Sequence, residues 1–524
     1  MSKKLIVLQV FIIFFTLGMT LASYAAPQKM PAKTTPKEQP KTSGTLIFGI
    51  GRALANPNPF VATMSTDAFI KETAYESLLT QDDDGKIIPN LAESYEISGG
   101  GTVFTLYLRK GVKFHNGKEM KANDVIWSAN YVKDPKNSAF GQNIIKDVVS
   151  VEKSGDYTVV FTLSKPSVTF LSCLATIRML PVVPENSLQT GQIKLGKNAF
   201  VPGTGPFIFE EYQPGMDMVE RKYSDYWGKP AYLDKLIFRP IPDGANRFNA
   251  LRTGDVHMAD RLAALDITRV RKGEVKGIKI LEEPFGGFQH IIFNYLSPQF
   301  QKPEMRQAIA YAIDKKRLLD EAFFGAGTPT DIMIAPNSIW TKAASIPPHK
   351  RDLAKVKALL KAAGYNGQEL SVIGARQETE LLDSLQRMLT EAGLKVKLEI
   401  LEAGLVNERL RLGKYDFHSG GVNMEADPVL TMVPYYYTNK VEKAQYSSPR
   451  VDQLLDNLDR EFDGKKRLQI FKELAWAIHD DAASIPMFFT ARYVGMVEKV
   501  QGMEARKATA YRPSGRYFKQ AWLK

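Results

Sequence analysis

The stretch GTVFTLYLRKGVKFHNGKEMKANDVIWSANYVKDP, Gly101 to Pro135, decides the fold. Phe104, Leu106 and Leu108 alternate with Thr105, Tyr107 and Arg109. That period-two pattern predicts a half-buried strand. Lys110-Gly111 predicts a turn, the residues after it a second short strand, and Asn116-Gly117 another turn. Val125, Ile126 and Trp127 then open a helix, with Asn123 placed as its N-cap. The segment holds no catalytic constellation and no metal-ligand spacing. Taken alone it is α/β scaffolding.

Upstream, Leu46, Phe48 and Ile50 predict a strand, followed by the loop LANPNPF and a helix-like stretch ending at Tyr75 to Leu79. Downstream, VVSVEKSGDYTVVFTL predicts two strands joined at Ser154-Gly155-Asp156. VPGTGPFIFEEY, RKYSDYWG and LDKLIFRPIPD predict strands and turns, and NRFNALRTGD a helix ending at Gly254. From about Phe288 strands alternate with helices. PEMRQAIAYAID starts a helix at Pro303 with Gly325 as its stop; RDLAKVKALLKAAG ends at Gly364 and ETELLDSLQRMLTEAG at Gly393. LKVKLEIL then completes a strand-helix-strand unit, so a parallel sheet is expected there. Helices over 450–462 and 465–480 follow, and strand-like alternation returns from Ile485.

The N-terminus predicts export. Lys3 and Lys4 precede the apolar run Leu5 to Leu21, and Ser23-Tyr24-Ala25 offers small residues for cleavage after Ala25. No cysteine lies near that site, which argues against a lipoprotein. Residues 26–44 are rich in Pro, Lys and Thr and lack a core, so a disordered linker is expected. The remaining 480 or so residues exceed one core and imply several domains. The net charge is +12, of which the first 44 residues carry five. The basic residues left are scattered and do not interleave with aromatics, so nucleic-acid binding is not expected. The single cysteine, Cys173, sits in an apolar string and reads as a buried small hydrophobe.

Enzyme chemistry finds no foothold. Gly191 to Asn198 matches Gly-x4-Gly-Lys, but Asn198 stands where a magnesium-ligating hydroxyl belongs and no buried strand leads in; a surface loop is expected. The six histidines are far apart in sequence, with no His-Glu-x-x-His, and there is no Gly-x-Ser-x-Gly. No cofactor or metal is expected.

The Gly101–Pro135 string closely resembles the signature segment of the family 5 extracellular solute-binding proteins, the peptide- and nickel-type receptors that feed ABC importers. IPNLAESYEIS (88–98), PGTGPFIFEEY (202–212), FRPIPDGANRFNALRTGDVHMA (238–259) and EMRQAIAYAIDKKRLLDEAFFGAGTPTDIMIAP (304–336) extend the resemblance in the family's order, from about Leu46 to Trp522. It implies a type II periplasmic-binding fold: a three-domain α/β clam shell of two mixed-sheet lobes plus an inserted domain. Domain I would combine 45–76, 199–285 and 486–524; domain II would be 77–198 and domain III 286–485, with a hinge near 285 and 486. It also implies a monomeric, periplasmic capture protein that hands a short peptide or peptide-like solute to an inner-membrane permease. Other solutes (an opine-like conjugate, an oligosaccharide or a nickel chelate, the last perhaps touching His418) and a chaperone role are the alternatives.

A zwitterionic peptide needs a carboxylate for its ammonium and a guanidinium for its carboxylate. In the family's peptide receptors the carboxylate precedes an Asp-Pro pair by three residues. Here that position is Met424, so the ammonium anchor departs from the pattern; Glu425 or Asp427 could substitute. The resemblance points to Asn423, Met424, Asp427 and Tyr436 in GGVNMEADPVLTMVPYYYT, and to Arg376 after LSVIGA, as ligand contacts. Arg178, alone in an apolar run, reads equally as an interdomain pair or a site residue.

Overall fold

The computed structural model describes residues 39–61, 65–82, 85–188, 196, 200–422, 427–438, 446–503 and 515–524. The proposed export signal, the linker to residue 38, and all of the Gly191–Asn198 loop except Gly196 lie outside them.

Two long strands carry the architecture. Ile278–Phe293 and Ile485–Val497 pair antiparallel along most of their length, with register shifts between Glu283 and Gly287 and between Gln289 and His290. A single eleven-stranded sheet extends to both sides of this pair. On one side Met258–Ala259, Thr45–Ile50 and Lys235–Pro240 run parallel to one another, and Met218–Lys222 and Phe207–Glu211 continue as antiparallel strands. On the other side Phe417–Val422, Glu369–Ala375 and Lys395–Leu401 run parallel. The parallel pairing of the last two is what a strand-helix-strand unit demands, because the crossover helix Thr379–Glu391 returns the chain to the same end.

Each half of the sheet is covered on both faces. Helices Pro303–Ala312, Leu353–Ala363 and Thr379–Glu391 bury Ile309, Val356 and Leu385 on one face of the C-terminal half. Helices Pro428–Tyr436, Pro449–Arg460 and Gly464–Asp480 bury Met432, Leu455 and Phe471 on the other. In the N-terminal half, helix Gly244–Thr253 packs Phe248 and Leu251 on one face, and helix Ser65–Lys71 packs Phe69 and Ile70 on the opposite one.

The signature segment sits in a separate four-stranded antiparallel sheet, ordered Ala92–Ser98, Val103–Leu108, Thr158–Leu163 and Val148–Lys153. Phe104, Leu106 and Leu108 face its core. The second short strand reduces to one bridge, Lys113 to Glu119, around the Asn116-Gly117 turn. The helix starts at Ala122 with Lys121 as its N-cap, one turn position earlier than Asn123. The reason is Asp124: its buried carboxylate accepts the Lys121 and Glu185 backbone N–H groups and the Lys118 ammonium, while Asn123 is exposed. Likewise the helix expected from Pro303 to Gly325 is two helices, Pro303–Ala312 and Lys315–Phe323. Asp314 breaks it by capping the Arg317 N–H at 2.9 Å.

His115 ties this domain to the rest. Its backbone N–H donates to the Gly203 carbonyl at 2.8 Å. Its Nδ1 accepts the Gly203 N–H at 3.2 Å and its Nε2 lies 3.0 Å from the Gly205 carbonyl. That pattern requires a neutral imidazole protonated on Nε2. Gly203 and Gly205 press against the Ala74 turn: a Cβ at Gly203 would lie 2.0 Å from the Ala74 carbonyl oxygen. The PGTGPF string therefore has glycine at both positions for want of room.

Gly203→Ala is expected to cost about 2–3 kcal/mol or more of stability, read as a lower Tm, whereas Gly404→Ala, where nothing lies within 4 Å of the new Cβ, should be nearly neutral. Burial, opposed by the Gly205 bond, pulls His115 down to about 4. A histidine depressed in the fold contributes stability that is present above its unfolded value, about 6.5, and is lost as pH falls toward 4. The Tm should therefore decline over that window, and His115→Gln should flatten the decline.

Candidate functional site

The registers place a crevice. Along Phe417–Val422 the chain runs from the partner of Phe293 toward the partner of Phe288. Its carboxyl end, and those of its two parallel neighbours, thus point at the shifted stretch between Glu283 and Gly287. Along Met258–Ala259 the partners run from Met496 to Gly495, and on the far strand from Lys279 to Ile280. The carboxyl ends of the N-terminal parallel strands point at the same stretch from the opposite side. Ligands of open α/β sheets bind beyond the carboxyl ends of the strands. Here two such sets face one another across a two-strand crossing.

On the C-terminal side, Arg376 follows Glu369–Ala375 directly. It is largely exposed, and its Nε donates to Glu402 Oε1 at 2.7 Å from the end of the next strand. Glu378 Oε2 accepts the Ala375 N–H at 3.3 Å, and Gln289 also hydrogen-bonds its carboxyl. Burial raises the pKa of that carboxyl. Gln289 stands opposite Gly421, where a Cβ would meet its Nε2 at 3.2 Å. Asn423 and Met424, with Glu425, continue from this strand end but lie outside the described residues.

Asp427 and Tyr436 bracket the helix that follows. Asp427 is buried, caps the Val429 N–H at 3.0 Å and pairs with Arg467 Nη2 at 2.8 Å. The Arg467 guanidinium in turn stacks over Trp340. Tyr436 is buried, its hydroxyl against Ser484 Oγ and Met333 Sδ. Both side chains thus have their polar atoms engaged inside the lobe. Arg178 stacks over the Phe140 ring within the 77–198 segment. His418 is buried with its Nδ1 on the Ser419 carbonyl, next to His290.

On the N-terminal side stand residues that motif reading passed over. Gly51 N–H donates to Asp260 Oδ1 at 2.9 Å, joining two strand ends. Arg247, almost fully buried, donates to the carbonyls of Asp260, Pro242 and Arg261. Arg261 and Arg492 approach Asp260 Oδ2 at 3.8 and 3.7 Å. A strand end followed by Asp-Arg was the only available signal.

Two cavities, of about 580 Å³ beside His115, Phe200 and Arg221 and about 330 Å³ beside Glu76, Thr176 and Lys519, involve none of these strand ends. Asp331, His349 and His479 bring possible ligand atoms within 4.8 Å of one another. The Asp331 carboxylate is already taken by the Lys315 ammonium and by the His349 N–H and Nδ1, and His349 stacks on His479. This is a satisfied carboxylate rather than an open ligand set.

The model of the bacterial extracellular solute-binding proteins, family 5 Middle, matches residues 86–443. A glutathione-binding protein of Pectobacterium atrosepticum, GsiB, is 28% identical over 483 residues, covering 89% of this chain and 91% of the relative. Its counterpart from Escherichia coli is 25% identical over 488 residues, with the same coverage. Among solved structures, the periplasmic binding protein AgaA of A. tumefaciens R10, in complex with agropinic acid, has a TM-score of 0.76 and 28% identity, covering 92% of this chain and 99% of its own. DppA of Helicobacter pylori, in complex with the peptide STSA, has a TM-score of 0.75 and 26% identity, covering 92% and 98%.

Removing one member of the buried pair leaves the other charged and unpartnered, so Arg467→Met should cost about 3–5 kcal/mol in denaturant unfolding. Arg376→Ala, which breaks only an exposed pair, should change stability by about 0.5 kcal/mol or less.

Proposed function

The chain belongs to the bacterial extracellular solute-binding proteins of family 5, the substrate-binding components of ABC importers, and on that premise we propose that it binds a short peptide or peptide-like solute in the crevice at the strand crossing. The observation that carries the reading is the opposition of two sets of parallel-strand carboxyl ends across a hinge of two principal strands. Lobes joined so narrowly can rotate, and a solute touching both favours the closed arrangement. Arg376 supplies a planar fork for a carboxylate, with Asn423 and Met424 beside it. Asp427 and Tyr436 brace the helix behind that loop. With Met424 where the family's aspartate stands, the solute's ammonium is met elsewhere in the crevice.

In this reading domain I is 45–76, 199–285 and 486–524, domain II is 77–198, and domain III is 286–485. The second of these touches the third: Asp459 accepts from Ser167 Oγ, the Thr169 N–H and Thr169 Oγ1. The protein acts as a monomer without cofactor or metal. It is secreted through cleavage after Ala25 and passes its cargo unchanged to an inner-membrane permease. Among the described residues no helix is long and apolar enough to cross a membrane.

A thermal-shift screen with glutathione, the tetrapeptide STSA, agropinic acid and nickel-histidine tests the ligand class. A ligand present at 100 times its Kd raises stability by about 2.7 kcal/mol. A peptide is expected to give such a shift and to compact the protein in solution scattering. Arg376→Ala should weaken that peptide about tenfold or more at unchanged Tm. A shift with agropinic acid or nickel-histidine alone would replace the peptide by another solute, and turnover of the ligand would end the transport reading.

A further inference from the structure

Across the crevice from Arg376, the N-terminal lobe gathers more positive charge than its own carboxylate can balance. Asp260 ends the short strand Met258–Ala259 and is almost wholly buried. Three guanidiniums surround it: Arg247 at 3.3 Å, Arg492 at 3.7 Å and Arg261 at 3.8 Å. They differ in what they do. Arg247 is locked among backbone carbonyls and has its Nε against Asp260 Oδ1. It braces three strand ends and faces no solute.

Arg261 and Arg492 are placed otherwise. Their distances to Asp260 Oδ2 exceed hydrogen-bond range, so Asp260 attracts both without engaging their forks. Arg492 is the register partner of Glu283, at the edge of the shifted stretch to which both sets of strand ends point. Its guanidinium also lies 5.6 Å from the Phe69 ring centroid, which fixes its direction. Arg261 follows the strand end with φ of +48°, a left-handed conformation that non-glycine residues adopt at a cost. Its side chain is more than half exposed. The neighbouring strand ends add Arg52.

We propose that Arg261 and Arg492 form a carboxylate anchor on the N-terminal lobe, and that the solute class is a peptide-like molecule with two separated carboxylates. One would be held here and one by Arg376. This rests on the peptide reading above and narrows it. Guanidinium forks match carboxylates bidentately, and the local excess of charge selects for anions before any contact forms. A solute spanning two positive strand-end clusters would then join the lobes through its own charges.

Titration calorimetry on the full mature chain tests this. The probes are glutathione, which has two carboxylates, and two derivatives, each with one carboxylate converted to an amide. In the wild type, amidating either end should weaken binding about tenfold or more. In Arg261→Gln, and in Arg492→Gln, one of the two amidations should lose its effect while the other keeps it. Arg492→Lys, which keeps the charge without the fork, should fall between. Arg261→Gln is the safeguard against misfolding, because that side chain is exposed and its loss should leave the Tm unchanged. If both variants remain as sensitive as the wild type to both amidations, the anchor is overturned while the peptide reading stands. If the wild type binds the diamide as well as glutathione, the dicarboxylate class is overturned. If it binds neither glutathione nor its amides, the peptide reading and the anchor fall together.

Discussion

The pairing of Ile278–Phe293 with Ile485–Val497 is the constraint on which the molecule turns. These strands are the centre of the eleven-stranded sheet, and they carry the chain out of the N-terminal half and back into it. Because each is antiparallel to its neighbour on the outer side, the parallel strands of the two halves run toward one another. The crevice is thus a product of strand direction, set before any ligand-binding side chain is chosen. The register shifts between Glu283 and Gly287 and between Gln289 and His290 interrupt the ladder between the two halves. Such irregularities bend a strand and increase its local twist, so the sheet is least regular where the halves must move.

A second junction keeps the four-stranded domain from moving independently. His115, Gly203, Gly205 and the Ala74 turn interlock through backbone groups with no space for a Cβ. Tyr223 adds a bond from its hydroxyl to the Phe114 carbonyl at 2.8 Å. Close backbone approach explains why strings such as KFHNGK and PGTGPF are so distinctive in the sequence. They mark places where chain meets chain, and substitution there has little tolerance.

That is also why the fold was legible and the site was only partly so. Period-two alternation in Val103–Leu108, helical spacing in Thr379–Glu391 and glycines at Gly254, Gly364 and Gly393 are local signals, and the structure agrees with each. Where local reading slipped, at Asn123 and at Ile313, an aspartate one residue away took the capping role. A carboxylate that accepts several N–H groups can outbid the pattern of apolar residues around it. The site depends instead on residues far apart in sequence. Asp260 meets Gly51, Arg247 and Arg492 through sheet register, and no spacing rule spans those intervals. Arg376 was reachable because it directly follows a strand whose end could be read.

Charge then connects geometry with motion. Arg261 and Arg492 stand on one side of the crevice, and Arg376 on the other. Bringing the lobes together without cargo concentrates positive charge in a space that is losing water, which raises its energy. Glu402 and Asp260 offset part of this, but each already serves its own lobe. A solute that brings carboxylates to both sides removes the repulsion and adds charge-assisted bonds present only when the lobes approach. Only such a differential interaction can shift an open–closed equilibrium. The same arrangement makes an empty, closed receptor unfavourable, so a permease that recognises the closed form would be presented chiefly with loaded protein.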